Sequence, residues 1–135
     1  MVPSTRPIRM LIADDDSGFR ETLRAIFEPH FLTLEAESGE EAIEIAESEP
    51  LDIALLDMHM RLMTGLETLL VLKSVHILLP CILITADATE ELRQRATEAE
   101  AYSVLKKPVK KAELVLTVSA ALELPLDEGQ AFGFN

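Results

Sequence analysis

The chain has 135 residues and a formal net charge of -12 at pH 7, from 24 acidic and 12 basic side chains. This charge argues against non-specific binding to nucleic acids and against docking on anionic lipid, so we expect neither nucleic acid nor membrane among the direct partners. Hydrophobic residues make up 48% of the chain and aromatic ones only 4%, which predicts one domain with a mainly aliphatic core.

The sequence also carries signals about where in the cell the protein is found. Cys81 is the single cysteine, which excludes an intrachain disulfide, and its apolar neighbours predict a small buried hydrophobe. The first ten residues lack the apolar region of a signal peptide. The longest apolar stretch, around residues 77–84, is short and contains Pro80, so it does not predict a membrane span. We therefore expect a cytoplasmic protein.

Five short apolar runs alternate with five stretches of helical character. The predicted strands cover residues 8–13, 31–36, 51–57, 80–85 and 103–105. The predicted helices run from Ser17 to a stop at Pro29, from an N-cap at Ser38 to just before Pro50, from about 66 to 75, over 89–99 and over 110–124. We expect residues 1–6 to be a disordered lead-in, 7–123 to form the domain and 124–135 to be a tail.

The third predicted strand carries the most informative residue. The apolar run 51–56 is typical of a strand that is covered on both faces of a parallel sheet. It leads into Asp57, and a carboxylate at the end of a buried strand is costly unless it has a partner or lies in a crevice. The alternation of strands and helices predicts an α/β fold with a parallel sheet, helices on both faces and right-handed crossovers.

In such a sheet the residues that follow the strands converge at one edge. They are Asp14 and Asp15 after the first strand, Asp57 after the third, Thr85 after the fourth and Lys107 after the fifth. Three carboxylates close together repel, and a hard divalent cation such as Mg2+ would resolve that repulsion. A lysine and a hydroxyl beside them suit a phosphoryl group in transfer. The residues alone thus predict a magnesium-dependent phosphoryl site, without saying which carboxylate reacts.

Four motifs, in this order, resemble the receiver domain of two-component response regulators. They are LIADDD, LDIALLDMHM followed by TGLE, ILITA and LKKPV, and the resemblance covers about residues 7–123. It implies a flavodoxin-like, doubly wound (βα)5 sandwich whose five parallel strands lie in the order 2-1-3-4-5. It also implies a phosphorylation-dependent signalling switch. Such a domain is not an enzyme in the usual sense, although it assists its own phosphoryl transfer and dephosphorylation.

The resemblance further implies roles for the acidic residues. Asp57 would accept the phosphoryl group from a phosphohistidine and become an acyl phosphate. Asp14 and Asp15 would hold Mg2+ together with Asp57 and the backbone carbonyl of His59. The resemblance thus names the nucleophile that the residues alone leave open.

The remaining implied roles concern the phosphoryl group and the partners. Thr85 and Lys107 would contact the phosphoryl oxygens, and the peptide bond between Lys107 and Pro108 is expected to be cis. The donor would be a sensor histidine kinase or a phosphotransfer protein. The fourth and fifth strands, with the helices after them, would form the face for an unknown downstream effector or for a homodimer. The alternative is a phosphorylation-independent interaction module, or a receiver fragment of a longer DNA-binding regulator or hybrid kinase.

Several of these residues also have a plainer interpretation. Asp14 and Asp15 could serve only as helix caps, although Asp16 or Ser17 could do so as well. His59 follows the proposed nucleophile by two residues. Both a metal or catalytic role for its imidazole and a partly exposed side chain that overhangs the site stay open.

The chain departs from the family pattern at a few positions. Val104 stands where relatives usually have a large aromatic side chain, and Tyr102 lies two residues earlier on the same predicted strand face. Arg61 replaces a common proline, Thr64 a common aspartate and Glu100 a frequent glycine. These departures bear on loop rigidity and output, not on the phosphorylation chemistry.

Overall fold

Five strands and five helices alternate along the chain in the computed structural model, which describes residues 6–124 together with 126–127 and 130–131. The strands are β1 (Arg9–Ala13), β2 (Leu32–Ala36), β3 (Ile53–Asp57), β4 (Cys81–Thr85) and β5 (Ser103–Lys106). The helices are α1 (Ser17–Phe27), α2 (Gly39–Ser48), α3 (Gly65–Val75), α4 (Glu90–Glu98) and α5 (Lys111–Ala121). The predicted order of elements is confirmed.

The five strands form one parallel sheet in the order β2-β1-β3-β4-β5. This confirms the predicted doubly wound α/β fold. The chain first adds β2 on one side of β1 and then continues with β3 on the other side. The carboxyl ends of β1 and β3 therefore flank the switch point, which is where open α/β sheets bind ligands.

Helices cover both faces of the sheet. α2, α3 and α4 pack on one face, with residues such as Ala42 and Leu69 in that apolar layer. α1 and α5 pack on the other, with Phe27 and Val118 among the buried side chains. β3 and β4 are consequently buried along their whole length, which explains their continuous apolar runs. Cys81 is buried in β4, as predicted, and burial raises the pKa of its thiol to about 12.

The third strand begins later than predicted. It starts at Ile53 rather than Leu51, because its parallel pairing with β1 starts at the Met10–Ile53 pair. The backbone N–H of the preceding residue, Asp52, donates to the Arg9 carbonyl at 2.9 Å, and its carboxylate accepts a hydrogen bond of 2.8 Å from the backbone N–H of Arg9. Asp52 thus contacts the start of β1 through one backbone and one side-chain hydrogen bond before the regular strand pairing begins.

The last helix ends earlier than predicted. α5 stops at Ala121 rather than near Leu124. Glu123 adopts a φ of 55°, and the backbone N–H of Leu124 donates to the Ser119 carbonyl at 2.9 Å. A left-handed residue just after the last turn ends a helix in this way.

The two ends of the chain lie partly outside the described residues. Of the predicted lead-in, 1–6, only Arg6 is described, and its guanidinium pairs with the Asp52 carboxylate at 2.8 Å. In the predicted tail, β6 (Leu126–Asp127) pairs antiparallel with β7 (Gln130–Ala131), and β7 lies against α5. Among the helices of the described segments, none combines the length and apolar character needed to cross a bilayer.

Candidate functional site

The carboxyl end of β1 continues into three consecutive aspartates with different surroundings. Asp14 is only 1% exposed, and its backbone N–H donates to the Ala36 carbonyl at 3.1 Å. Asp15 is exposed. Asp16 is the N-cap of α1, because its side chain accepts hydrogen bonds from the first backbone N–H groups of that helix. Capping is therefore the role of Asp16 and does not explain its two predecessors.

The carboxylate of Asp57 lies next to the ammonium group of Lys107. Asp57 ends β3 and is buried. Nζ of Lys107 lies 2.8 Å from Oδ1 of Asp57 and 3.7 Å from Oδ2 of Asp14. The peptide bond from Lys107 to Pro108 is cis, as predicted. One cation thus faces two buried carboxylates and offsets part of their repulsion.

Three carboxylates meet at this edge of the sheet. One oxygen each of Asp14, Asp15 and Asp57 lies within 4.8 Å of the others. Oδ2 of Asp14 is buried and has no hydrogen-bond partner among the described residues. Burial raises the pKa of Asp14 to about 6; the hydrogen bond from Asp16 opposes this rise, the charge of Asp57 adds to it and that of Lys107 opposes it. An oxygen-lined group with an excess of negative charge and an unsatisfied buried oxygen fits Mg2+.

The Lys107 ammonium group is held by an aromatic ring as well as by carboxylates. Its Nζ lies 4.3 Å from the centroid of the Phe19 ring, a distance suited to a cation–π contact. Burial lowers the pKa of Lys107, but the hydrogen bond to Asp57 and the charges of Asp57, Asp14 and Asp16 outweigh that effect and raise it overall. Lys107 therefore remains positively charged at neutral pH.

Thr85 is fully buried at the end of β4. It directly follows Ile84, the residue that is paired with Asp57 in the sheet. Its hydroxyl oxygen accepts a hydrogen bond of 3.1 Å from the backbone N–H of Asp87. Because this bond uses the oxygen as an acceptor, the hydroxyl proton can be donated to another group.

The imidazole of His59 lies beside the next loop rather than in the carboxylate cluster. Its Nε2 is 3.8 Å from Oδ2 of Asp87, and the two side chains are 61% and 78% exposed. The oxygen cluster consists of three aspartates and does not include the imidazole. Of the two interpretations left open for His59, the structure shows an exposed side chain outside the carboxylate cluster, while a metal-ligand role for its backbone carbonyl stays a prediction.

The start of α3 fixes the backbone that carries Asp57. A Cβ atom at Gly65 would lie 2.9 Å from the backbone carbon of Asp57 and from Cα of Met58, and still closer to the Asp57 carbonyl oxygen. The Gly65 N–H donates to the Met58 carbonyl at 2.8 Å. Thr64 and Glu67 form a capping box at the same helix start. Only glycine allows α3 to approach the Asp57 backbone this closely.

The fold and the site geometry agree with the sequence family that matches this chain. The family model of the response regulator receiver domain matches residues 10–119. The chain belongs to this family. Transcriptional regulatory protein GlrR of Escherichia coli (strain K12) is 30% identical to it over 121 residues, which cover 89% of this chain and 27% of GlrR.

Solved structures show the same receiver fold. A CheY-like response regulator receiver domain protein from Methanospirillum hungatei JF-1 superimposes with a TM-score of 0.84 and 25% identity, covering 87% of this chain and 95% of the other. A chain of the CheX-CheY-BeF3-Mg+2 complex from Borrelia burgdorferi superimposes with a TM-score of 0.79 and 26% identity, covering 84% and 88%. These likenesses confirm the predicted receiver fold and strand order.

The receiver domain accounts for part of the length of its curated relatives. It spans 27% of GlrR and 63% of transcriptional regulatory protein PdtaR from Mycobacterium tuberculosis (strain ATCC 25618 / H37Rv). Receiver domains are signalling domains rather than classical enzymes. They bind Mg2+ at an acidic pocket and interact with histidine kinases or phosphotransfer proteins and with effectors. Asp14, Asp15 and Asp57 form such an acidic group here.

The structure brings most of the predicted site residues together. Asp14, Asp15, Asp57 and Lys107 converge from three different strand ends. Thr85 ends the strand between β3 and β5. These placements follow from the parallel sheet, since all five strands end at the same edge.

Three residues that contact the site were not predicted from the sequence. Phe19 lies against Lys107, Arg20 donates to the Asp14 carbonyl, and Asp87 binds Thr85 and approaches His59. Phe19 belongs to the apolar stripe of α1, and the other two occupy ordinary polar positions in sequence. No spacing rule separates them from surface residues, so only their three-dimensional contacts reveal them.

Proposed function

We propose that this receiver domain is a phosphorylation-dependent switch in which Asp57 accepts the phosphoryl group of a phosphohistidine. The observation that carries the proposal is the contact between Lys107 and Asp57 beside two further carboxylates. A salt bridge to Lys107 alone would not require two further carboxylates within 4.8 Å, because like charges so close repel one another; such a cluster is typical of a functional site. The donor would be a sensor histidine kinase or a phosphotransfer protein, and the reaction would take place in the cytoplasm.

The proposed transfer is an in-line displacement at phosphorus. A carboxylate oxygen of Asp57 attacks, a P–O bond forms, and the P–N bond to the donor imidazole breaks. The imidazole leaves with the electron pair of that bond and takes a proton from solvent. The signal ends by hydrolysis of the acyl phosphate. Water attacks the phosphorus, the P–O bond to Asp57 breaks, inorganic phosphate leaves and the Asp57 carboxylate is restored.

Asp14, Asp15 and Asp57 would hold Mg2+, with the backbone carbonyl of His59 as a further oxygen ligand. When bound, Mg2+ neutralises charge on the phosphoryl oxygens. Lys107 would supply another positive charge to the same oxygens. Its ammonium group already lies 2.8 Å from the Asp57 carboxylate, so little reorganisation is required when the phosphoryl group arrives.

Thr85 would donate its hydroxyl proton to a phosphoryl oxygen. A shift of Thr85 could be transmitted to α4 through hydrogen bonds, because the Thr85 hydroxyl oxygen accepts from the Asp87 N–H. The Asp87 carbonyl in turn accepts from the N–H of Thr89 at 2.9 Å, and Thr89 is the N-cap of α4. We propose that phosphorylation reaches α4 along this route.

The face formed by β4, α4, β5 and α5 would be the output surface. Leu116 on α5 and Tyr102 just before β5 are both about half exposed, and exposed apolar side chains of this kind suit a partner surface. Val104 is partly buried against the core, so the exposed aromatic side chain of this region is that of Tyr102. The partner would be a downstream effector or a second copy of the chain.

The proposal is tested by phosphorylation with a small-molecule donor. Incubation with acetyl phosphate or phosphoramidate and MgCl2 should add the mass of one phosphoryl group to the intact protein, and a chelator should prevent the addition. Asp57→Asn should abolish it, whereas Asp52→Asn, at the opposite end of the same stretch, should leave it unchanged. Labelling that persists in Asp57→Asn would show that the assignment is wrong.

A phosphorylation-independent interaction module is the competing function. The partly buried Val104 favours it, because the large aromatic side chain usual at this position in relatives is missing from the strand that leads to Lys107. Partner binding that is the same for the unaltered chain, the phosphorylated chain and Asp57→Asn would support this module over the switch.

A further inference from the structure

The mostly buried side chain of Arg20 lies outside the carboxylate cluster and contacts the backbone that carries Asp14. Nη1 of Arg20, in α1, donates a hydrogen bond of 2.7 Å to the carbonyl oxygen of Asp14. Nε of the same guanidinium donates to Oε1 of Glu35, in β2, at 3.1 Å. The Arg20 side chain is only 12% exposed. Both of its bonds are therefore partly shielded from solvent, which strengthens them relative to bonds on an open surface.

The carbonyl that Arg20 contacts belongs to the peptide bond between Asp14 and Asp15. On the other side of Asp14, the backbone N–H is fixed by the Ala36 carbonyl at 3.1 Å. The next backbone N–H, that of Asp16, donates to Oδ1 of Asp14 at 2.8 Å. The orientation of the peptide that precedes Asp15 thus depends on the hydrogen bond from Arg20, and with it the direction in which the Asp15 side chain leaves the backbone.

We infer that Arg20, anchored by Glu35, is a positioning residue that presents Asp14 and Asp15 to a divalent cation. The inference rests on one part of the proposed function, which is that these aspartates bind Mg2+. The contact is with a carbonyl, and the charge of Arg20 is balanced by Glu35, so the arginine orients the peptide without neutralising the carboxylates that the cation requires. Groups that orient metal ligands in this way affect metal affinity strongly.

Arg24 provides a matched control for a purely structural role. It lies one turn further along α1, and its Nη1 donates to Oε2 of the same Glu35 at 3.1 Å. Its Nε also pairs with Glu28 at 3.3 Å. Arg24 therefore connects α1 to β2 as Arg20 does, but its guanidinium contacts Glu28 and Glu35 and not the Asp14 carbonyl.

The test is calorimetric titration of the full chain with MgCl2, without any phosphoryl donor. Arg20→Gln should raise the dissociation constant for Mg2+ by about 10-fold, while Arg24→Gln should change it less than about twofold. Glu35→Ala removes the anchor but keeps Arg20, and it should also weaken Mg2+ binding by more than Arg24→Gln does. Urea unfolding in a chelator, run in parallel, shows how far each variant is destabilised, and Glu35→Ala keeps the test available if Arg20→Gln does not fold.

A second readout separates positioning from general damage. With acetyl phosphate as the donor, Arg20→Gln should need more MgCl2 for half-maximal phosphorylation and should approach the unaltered rate when Mg2+ is saturating. Equal Mg2+ affinity in Arg20→Gln and Arg24→Gln, or a rate that no Mg2+ concentration restores, would overturn the inference. Failure of the unaltered chain to bind Mg2+ would overturn it too, whereas Mg2+ binding without phosphorylation would overturn only the proposed function.

Discussion

At the scale of single residues, the buried carboxyl group of Asp14 makes the metal-free protein sensitive to pH. Its pKa is raised from 3.8 to about 6, chiefly by burial. Folding therefore favours the protonated form. The stability that this group contributes is fully present below about pH 4 and is lost as the pH rises through about 6, by about 3 kcal/mol in total.

Asp14→Asn should remove this pH-dependent loss of stability, because asparagine does not ionise. In a chelator at pH 7.5, urea unfolding should show the variant to be more stable than the unaltered chain, by up to about 3 kcal/mol, and the difference should shrink towards pH 4. Asp15→Asn is the control, since the Asp15 side chain is exposed. A difference between Asp14→Asn and the unaltered chain that does not vary with pH would contradict the assigned role of burial.

Lys107→Gln should slow phosphorylation by acetyl phosphate by about 10-fold or more, since it removes a preorganised charge from the phosphoryl site. Lys106→Gln is a matched control, because Lys106 is the preceding residue and its side chain is exposed. We expect Lys106→Gln to react within about twofold of the unaltered rate. Initial rates of the mass increase measure both variants, and equal slowing in the two would show that the contact between Lys107 and Asp57 does not matter for the chemistry.

At the scale of elements, the turn after α4 holds a strained residue. Glu100 has a φ of 65°. Its N–H donates to the Thr97 carbonyl at 3.0 Å, and the N–H of Ala101 donates to the Ala96 carbonyl at 2.9 Å. This is the hydrogen-bond pattern of a Schellman motif, in which glycine is preferred at the left-handed position. The sequence departs from the family's frequent glycine at the very position where the backbone favours it.

Glu100→Gly should therefore stabilise the fold by about 1 kcal/mol, because the left-handed conformation costs a residue with a Cβ about 1–2 kcal/mol and glycine loses part of that gain through its greater freedom when unfolded. Glu98→Gly, in the last turn of α4, should instead destabilise by about 1 kcal/mol. Urea unfolding distinguishes them by the sign of the change. Destabilisation by both substitutions would contradict the strain assigned to Glu100.

The elements could be predicted from sequence because both faces of the sheet are covered. The uninterrupted apolar runs of β3 and β4 and the N-cap residue Ser38 are local signals, and they gave the correct element order. The boundaries were less predictable, since they depend on tertiary contacts. The side chain of Asp52 binds the backbone of Arg9 from another strand, and nothing in the stretch 51–57 reveals that contact.

At the scale of the whole molecule, the site depends on the strand order. Asp14, Asp57 and Lys107 are far apart in sequence and meet because β1, β3 and β5 end at one edge of a single sheet. The parallel topology made these residues predictable. Phe19 and Arg20 were not, because they reach the site from the side of a helix, and a helical periodicity does not say which strand-end group a side chain will contact.

The output surface gives a prediction at the same scale. Leu116→Arg should abolish a phosphorylation-dependent dimer or partner complex without changing the phosphorylation rate, since Leu116 is about half exposed on α5. Leu70→Arg, at a similarly exposed position on α3, should leave that association intact. Size-exclusion chromatography with light scattering, with and without acetyl phosphate and Mg2+, measures the effect. A phosphorylated chain that stays monomeric at high concentration and binds no partner would contradict the output surface.

The most direct test of the central claim is to locate the phosphoryl group within the chain. After reaction with acetyl phosphate and Mg2+, borohydride reduction converts an aspartyl phosphate to homoserine, and peptide mass spectrometry identifies the converted residue. We predict conversion at Asp57 alone, dependent on Mg2+. Conversion at Asp14 or Asp15, or none in a folded protein that binds Mg2+, would contradict the assignment of Asp57 as the phosphoryl acceptor.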